Sequence, residues 1–270
     1  MSLSAMSARL SGKTVLITGA SSGIGRATAF EFSRTAPDIK LILTARRIDT
    51  LREIAAQIEG ESQGRTKVLP VMLDVADQKQ VAEFVGSSLP EEWRAVDVLV
   101  NNAGLVKGVD KVGEIKDEDI NIMITTNVLG LINLTQQILR LFHARGSKGD
   151  IINIGSIAGR EPYAGGAIYC ASKAAVRSFS DSLRKELIAT RIRVMEIDPG
   201  QVETEFSVVR FYGDKKKADA VYQGVDPLTP EDIAEVVVFV AGRRENVVVA
   251  DTLIFPSHQA GAGVMHRKST

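Results

Sequence analysis

Short, nearly unbroken apolar runs alternate along this chain with stretches in which hydrophobic residues recur at helical spacing. Lys13 to Thr18, Ile39 to Ala45, Lys67 to Leu73, Val96 to Val100, Asp150 to Ile154, Arg193 to Ile197 and Thr252 to Phe255 read as strands. Ile24 to Thr35 and Ile48 to Glu59 read as helices, as does Ala167 to Thr190. The strand runs are rich in Val, Ile and Leu and lack a polar alternation, which is the pattern of strands covered on both faces. Strand and helix alternate from end to end, predicting an α/β fold with one doubly wound parallel sheet flanked by helices on both faces. No linker-like stretch divides residues 1–270, so a single domain is predicted.

Two segments depart from this rhythm. Residues 200–229 hold Gly200, Gly213, Gly224 and Pro227 around a short helical region and follow a strand end, where ligands bind in such sheets. This segment is predicted to be a substrate lid. Thr229-Pro230-Glu231-Asp232 then reads as a helix start, with a hydroxyl cap, a proline at the first helical position and acids in the first turn. The lysine run Lys215 to Lys217 reads as a solvated face of the lid.

Composition narrows the partners. Lys+Arg and Asp+Glu both number 33, so there is no basic surplus to bind a nucleic acid backbone or an anionic membrane. No apolar run approaches the ~18 residues of a membrane span, and Val236 to Val240 reads as a buried helix or strand. The first twelve residues contain no apolar core of a secretory signal. The single cysteine, Cys170, forms no internal disulfide and suits a reducing compartment; the expected location is the cytoplasm. His143, His258 and His266 have no mutual spacing that suggests a metal site.

The first candidate chemistry is a glycine-rich turn. Thr18-Gly19-Ala20-Ser21-Ser22-Gly23-Ile24-Gly25 follows the first strand and opens a helix. Glycine allows a close approach of backbone to ligand, and the free N–H groups and dipole of a helix start attract a pyrophosphate. Gly19, Ser21, Ser22, Gly23, Ile24 and Gly25 are therefore candidate contacts for a dinucleotide. Proteins that prefer NAD usually carry an acid roughly 20 residues beyond the glycines, to hold the ribose 2′-hydroxyl. Here the second strand ends in Ala45-Arg46-Arg47. A guanidinium binds a 2′-phosphate through parallel charge-assisted hydrogen bonds, so NADP is the expected cofactor and Arg46 and Arg47 its phosphate ligands, with Arg26 as a further candidate cation.

The second is a tyrosine–lysine pair. Tyr169 and Lys173 stand four residues apart in a helical stretch and share one helical face. A phenol with a pKa near ~10 is a poor acid and base at neutral pH, and a neighbouring ammonium or pyridinium cation lowers it. Ser156 follows the strand Asp150 to Ile154, where its hydroxyl can hydrogen-bond a carbonyl or alkoxide oxygen.

The combination of TGASSGIG at 18–25, NNAG at 101–104, Asn127, Ser156 and Tyr169-x-x-x-Lys173 resembles the short-chain dehydrogenase/reductase superfamily over nearly the whole chain. The resemblance implies a Rossmann-like sheet, with Tyr169 exchanging the proton, Lys173 holding the ribose and Ser156 orienting the substrate oxygen. It implies that Asn127 holds a water linking Lys173 to solvent. It also implies Asp74 near the adenine, Asn101, Ala103 and Gly104 along the cofactor, and Pro199, Gly200, Val202 and Thr204 around the nicotinamide. Each residue also has a structural reading: Asp74 as a helix cap, Asn127 as a partner of buried backbone groups, Ser156 as a turn residue. Asp198 stands before Pro199, where many members carry a smaller or amide residue, and reads as a turn former. Cys170 reads as a packing residue.

Several stretches of the second half, among them residues 153–160, 202–207 and 250–256, are similar to the NADP-dependent dehydrogenases of 3-hydroxy acids, including serine. That similarity implies hydride transfer between NADP(H) and a small 3-hydroxy acid such as serine, allo-threonine or 3-hydroxyisobutyrate. Arginine matches a carboxylate's planar geometry, and Arg160 and Arg210 are the candidate clamps, or else rim residues. An NADPH-dependent reductase of small ketones or aldehydes needs no such clamp and is the alternative; an NADP-binding sensor or scaffold is the non-enzymatic one. The family implies a homotetramer pairing Asp117 to Phe142 and Ala167 to Thr190, although their apolar residues can equally all face the sheet.

Overall fold

The computed structural model describes residues 3–268. A short helix α1 (Leu3–Leu10) leads into strand β1 (Thr14–Thr18), followed by α2 (Gly23–Thr35), β2 (Lys40–Ala45), α3 (Ile48–Glu61), β3 (Lys67–Met72), α4 (Gln78–Glu83) and β4 (Val96–Asn101). Next come α5 (Asp117–Ile124), α6 (Leu131–Ala144), β5 (Lys148–Ile154), α7 (Ala167–Glu186) and β6 (Arg191–Pro199). Lid helices α8 (Phe206–Arg210) and α9 (Lys215–Ala220), then α10 (Pro230–Ala241) and β7 (Asp251–Ile254), complete the chain. The strands form one parallel seven-stranded sheet in the order β3-β2-β1-β4-β5-β6-β7, as the strand pattern predicts.

Successive strand residues feed two different cores. Val15 and Ile17 join Phe30, Phe32, Leu51, Ile58, Ile233 and Val237 of α2, α3 and α10 on one face. Leu16, Leu99 and Val194 join Leu134, Ile138, Phe142 and Leu183 of α6 and α7 on the other. The two-residue period of a strand turns alternate side chains to opposite faces, so a sheet sandwiched between helix layers needs apolar residues at every position. Each fully buried Leu, Ile or Phe contributes roughly 1.5–3 kcal/mol. Val236 to Val240 lies in α10, started by a capping box in which Thr229 and Asp232 bond each other's backbone N–H groups.

Three local readings change. α1 carries no strong sequence signal and was not anticipated; it reaches the core through Leu10. α7 ends at Glu186, short of Thr190. Asp117 to Ala144 is one 28-residue helical rod, long and apolar enough by composition to cross a membrane. The apolar residues Leu131, Leu134, Ile138 and Phe142 of its second half are buried in the protein, the behaviour of a core helix. Between α5 and α6 the rod widens to π-helical turns over Thr125–Gly130.

The order reverses about β1, whose carboxyl end opens with that of β4 into the crevice where doubly wound sheets bind ligands. Over it folds the lid, closed at its base by a bridge between Val202 and Leu228. The lysine run is solvated as expected, with Lys215 paired to Asp219 and Lys217 to Asp214.

Candidate active site

A cavity of about 800 Å³ runs along the carboxyl ends of the strands. One end is formed by the turn after β1. Gly19 and Gly23 adopt φ of +65° and +52°, which other residues rarely reach. A Cβ on Gly19 would stand 2.9 Å from the Cα of Ala103, and one on Gly25 would stand 2.6 Å from the Gly19 carbonyl oxygen. Gly25 thus closes the helix onto the turn behind the cavity wall, which Gly19, Ser21, Ser22, Gly23 and Ile24 line. Ser22, the residue before α2, makes no side-chain cap, so the N–H groups of the first helical turn remain available to an anion.

Arg46 and Arg47 also line the cavity. Arg47 donates to Ser21 Oγ at 3.2 Å and pairs with Glu205 of the lid at 3.2 Å. Asp74 lines the same end, its Oδ1 accepting from Ala76 N–H at 3.0 Å; the cap of α4 is Asp77 instead. A glycine cradle, an open helix start and two arginines fit a dinucleotide with a phosphorylated ribose.

Toward the other end, Ser156, Tyr169 and Lys173 come together on the wall with Ala103, Gly104, Pro199, Gly200, Val202 and Thr204. Ser156 begins a turn of 3₁₀-helix, Ile157–Gly159, its Oγ accepting from Ala158 N–H at 3.1 Å, and its hydroxyl stands near enough to Tyr169 to favour the phenolate. Tyr169 packs edge-on to Phe206 of the lid, ring centres 5.5 Å apart. Lys173 donates to the Ile154 carbonyl at 2.7 Å, and its ammonium lies 6.0 Å from the Tyr169 ring centre. Burial lowers the lysine to about 8, against the opposing charges of Asp198 and Glu196.

The profile of the short chain dehydrogenase family matches residues 13–212. This chain belongs to that family. It is 58% identical, over 96% of its length and 98% of the relative's, to an NADP-dependent 3-hydroxy acid dehydrogenase of Schizosaccharomyces pombe. It is 42% identical to a sulfoacetaldehyde reductase of Chromohalobacter salexigens, over 91% of this chain and 95% of the relative. Among solved structures, the closed form of a serine dehydrogenase complexed with NADP+ superposes with a TM-score of 0.85 at 41% identity, covering 94% of this chain and all of that one.

Within this short-chain dehydrogenase, several expectations from sequence need correction. In the protein alone the Tyr169 phenol is pushed above its ordinary range, because burial disfavours the phenolate more than the Ser156 hydrogen bond favours it. Asn101 turns away from the cavity and donates to Thr135 and Asn153 at 2.9 Å; its neighbour Asn102 lines the wall and holds the glycine turn by donating to the Thr18 carbonyl at 2.8 Å. Asn127, in the widened helical turn, accepts from Leu105 N–H and donates to the Leu105 carbonyl, both at 2.8 Å, and to Ser172. Its amide is thus committed to backbone and to Ser172.

Both substrate arginines are engaged elsewhere. Arg160 is bound by Asp198 and Asp251, and Arg210 reaches the Gly108 and Gly165 carbonyls with its guanidinium 5.6 Å from the Tyr163 ring centre; neither lines the cavity. Arg26 lies over Phe30 at 4.7 Å and donates to Gln57, away from the phosphate turn. The sequence reading missed Arg267, which lines the cavity and ties the C-terminal segment to the lid through the Gln223 and Val221 carbonyls at 2.7 and 3.2 Å. No periodicity or motif marks that segment; only the folded chain returns it to the site. Cys170 packs with Leu105, Val106, Met123 and Ala158. Among the described residues no group of His, Cys, Asp and Glu is arranged to hold a metal ion.

Proposed function

We propose that the protein is an NADP-dependent oxidoreductase that interconverts a small 3-hydroxy acid, such as serine, allo-threonine or 3-hydroxyisobutyrate, with its 3-oxo acid. The observation that carries this reading is one cavity with Arg46 and Arg47 at one end and Ser156, Tyr169 and Lys173 together further along. Bound NADP(H) supplies the hydride acceptor or donor and, when oxidised, a positive charge that favours the phenolate. The chain's own residues handle the oxygen and its proton. Ser156 orients the substrate oxygen, Tyr169 removes the hydroxyl proton during oxidation and returns it during reduction, and Lys173 holds the ribose. The turn before α2 holds the pyrophosphate and Arg46 with Arg47 the 2′-phosphate. Asp74, Ala103, Gly104, Pro199, Gly200, Val202 and Thr204 line the cofactor's path.

The acid class has a chemical support: the names of the relatives denote a 3-hydroxy acid and sulfoacetaldehyde, both carrying an acid group near the reacting carbon. A second reading, a reductase of small ketones or aldehydes, is favoured by the engagement of Arg160 and Arg210 away from the cavity. Following NADPH formation with L-serine, allo-threonine, 3-hydroxyisobutyrate and neutral alcohols separates the two. Turnover of the acids, abolished in Tyr169→Phe, is expected; turnover of neutral alcohols alone would replace the first reading with the second. A homotetramer is supported by the open edge of β7 and by the exposed apolar side chains of Leu253, Phe239, Val247 and Val248; light scattering in solution tests it. The single buried thiol is compatible with a cytoplasmic setting.

A further inference from the structure

Behind the site lies a charged cluster that the reaction as proposed does not use. Asp198, 1% exposed, accepts the backbone N–H of Ser156 on Oδ1 at 2.9 Å. Its Oδ2 accepts Arg160 Nε at 2.7 Å and lies 3.4 Å from Arg177. Asp251 on β7 pairs with both arginines, so two carboxylates and two guanidiniums balance. The arrangement has room only because residue 155 is glycine: a Cβ there would collide with Asp198 Oδ1. Gly155 N–H is itself held by the Ile197 carbonyl at 2.8 Å. Arg177 sits on α7, one turn beyond Lys173, so Asp198 is the joint between the two elements that carry the reacting groups.

We infer that Asp198, clamped by Arg160 and Arg177, is a positioning residue that fixes the Ser156 turn against α7 and so aims the Ser156 hydroxyl at Tyr169. This rests on the assignment of Ser156 and Tyr169 made above. Only Asp198 of the four is fully buried, and pairs with partly exposed arginines contribute little net stability, so the cluster is better explained by the geometry it enforces. The neighbouring Glu196 carboxyl faces the same cluster, where burial and the Asp198 carboxylate push it up to about 8, so it is neutral at pH 7 and adds no third negative charge.

A double-mutant cycle tests the inference, with kcat measured on NADP+ and whichever of L-serine or 3-hydroxyisobutyrate turns over faster. Asp198→Ala is expected to lower kcat about 100-fold, the scale of a misplaced catalytic group, while NADP+ affinity changes less than about 3-fold. Added to Ser156→Ala it should cost less than about a further 3-fold, because the hydroxyl it aims is already gone. Asp198→Asn, which keeps an acceptor for Ser156 N–H, should recover about 10-fold of the loss. Should Asp198→Ala fail to fold, Arg160→Gln replaces it in the cycle, with a loss in the parent and none added in Ser156→Ala. Losses that add in full, or an asparagine variant as slow as alanine, overturn the positioning role alone. A Ser156→Ala protein at full speed overturns the Ser156 assignment as well.

Discussion

Arg47 and Glu205, 158 residues apart in the chain, meet at 3.2 Å across the mouth of the cavity and join the end of β2 to the lid. In the proposed function the same guanidinium holds the ribose 2′-phosphate, and the carboxylate would compete with that phosphate. Both side chains are more than half exposed, so the pair is worth only about 0.2–1 kcal/mol. Glu205→Gln should therefore tighten NADP+ binding about 3-fold and leave NAD+ binding unchanged, as read by fluorescence titration. Equal changes for the two cofactors would show that Arg47 does not sense the phosphate.

Replacing both Arg46 and Arg47 by alanine tests the cofactor preference directly. A charge-assisted hydrogen bond contributes about 1.5–3 kcal/mol, so kcat/KM for NADP+ should fall about 100-fold while that for NAD+ stays within a few-fold. A preference for NADP+ that survives in the double variant would move the phosphate site elsewhere.

If Lys173 holds the ribose as proposed, it sets a pH dependence of cofactor capture. Its folded value of about 8 lies below the ordinary 10.5, so the free enzyme loses this ammonium as pH rises through 8. The value of kcat/KM for NADP+ reports the free enzyme and should decline above about pH 8. Glu196 titrates in the same range, so the decline must persist in Glu196→Gln to belong to the lysine. The linkage runs the other way for folding: between 8 and 10.5 the unfolded chain binds more protons at this site, and the lysine's contribution to stability rises with pH.

Glu196 makes a separate prediction about stability. Its carboxyl is raised from 4.5 to about 8, so between those values the folded state binds the extra proton and this group's contribution weakens as pH rises. Glu196→Gln removes that cost. The melting temperature of the variant should gain on the parent by at least about 2 °C between roughly pH 5 and pH 8, measured by calorimetry. A constant difference would mean that Glu196 is ionised in the folded protein throughout.

Arg267 is the cation to test for an acid substrate. Its guanidinium lines the cavity while two of its nitrogens hold lid carbonyls. Arg267→Ala should raise KM for a 3-hydroxy acid about 10-fold and leave KM for a neutral alcohol within about 2-fold, the loss of one hydrogen bond to a charged group. Similar increases for both substrates would assign Arg267 to closing the lid rather than to reading the acid.

The strands were legible because a sheet covered on both faces needs apolar residues at consecutive positions, as Val15, Leu16 and Ile17 show by entering two cores. The phosphate turn was legible because Gly19, Gly23 and Gly25 meet backbone or positive φ that a side chain would not tolerate. The Tyr169–Lys173 pair was legible because four residues make one helical turn. Asn101 and Asn102 could not be told apart, since adjacent residues at a strand end point to opposite sides and only the local twist selects which one meets the cavity.

Sequence alone determined what is local in the chain: the alternation of strand and helix, the glycine turn, the helical spacing of phenol and ammonium, and two arginines in place of an acid after β2. Tertiary structure decided what depends on distant segments meeting. It engaged Arg160 with Asp198 and Asp251, brought Arg267 back to the cavity, and buried Tyr169 deeply enough that its phenol is raised in the protein alone. Spacing along a helix or strand follows from bond geometry, whereas the partner of a charge and the dielectric around a phenol are set by which elements fold against it.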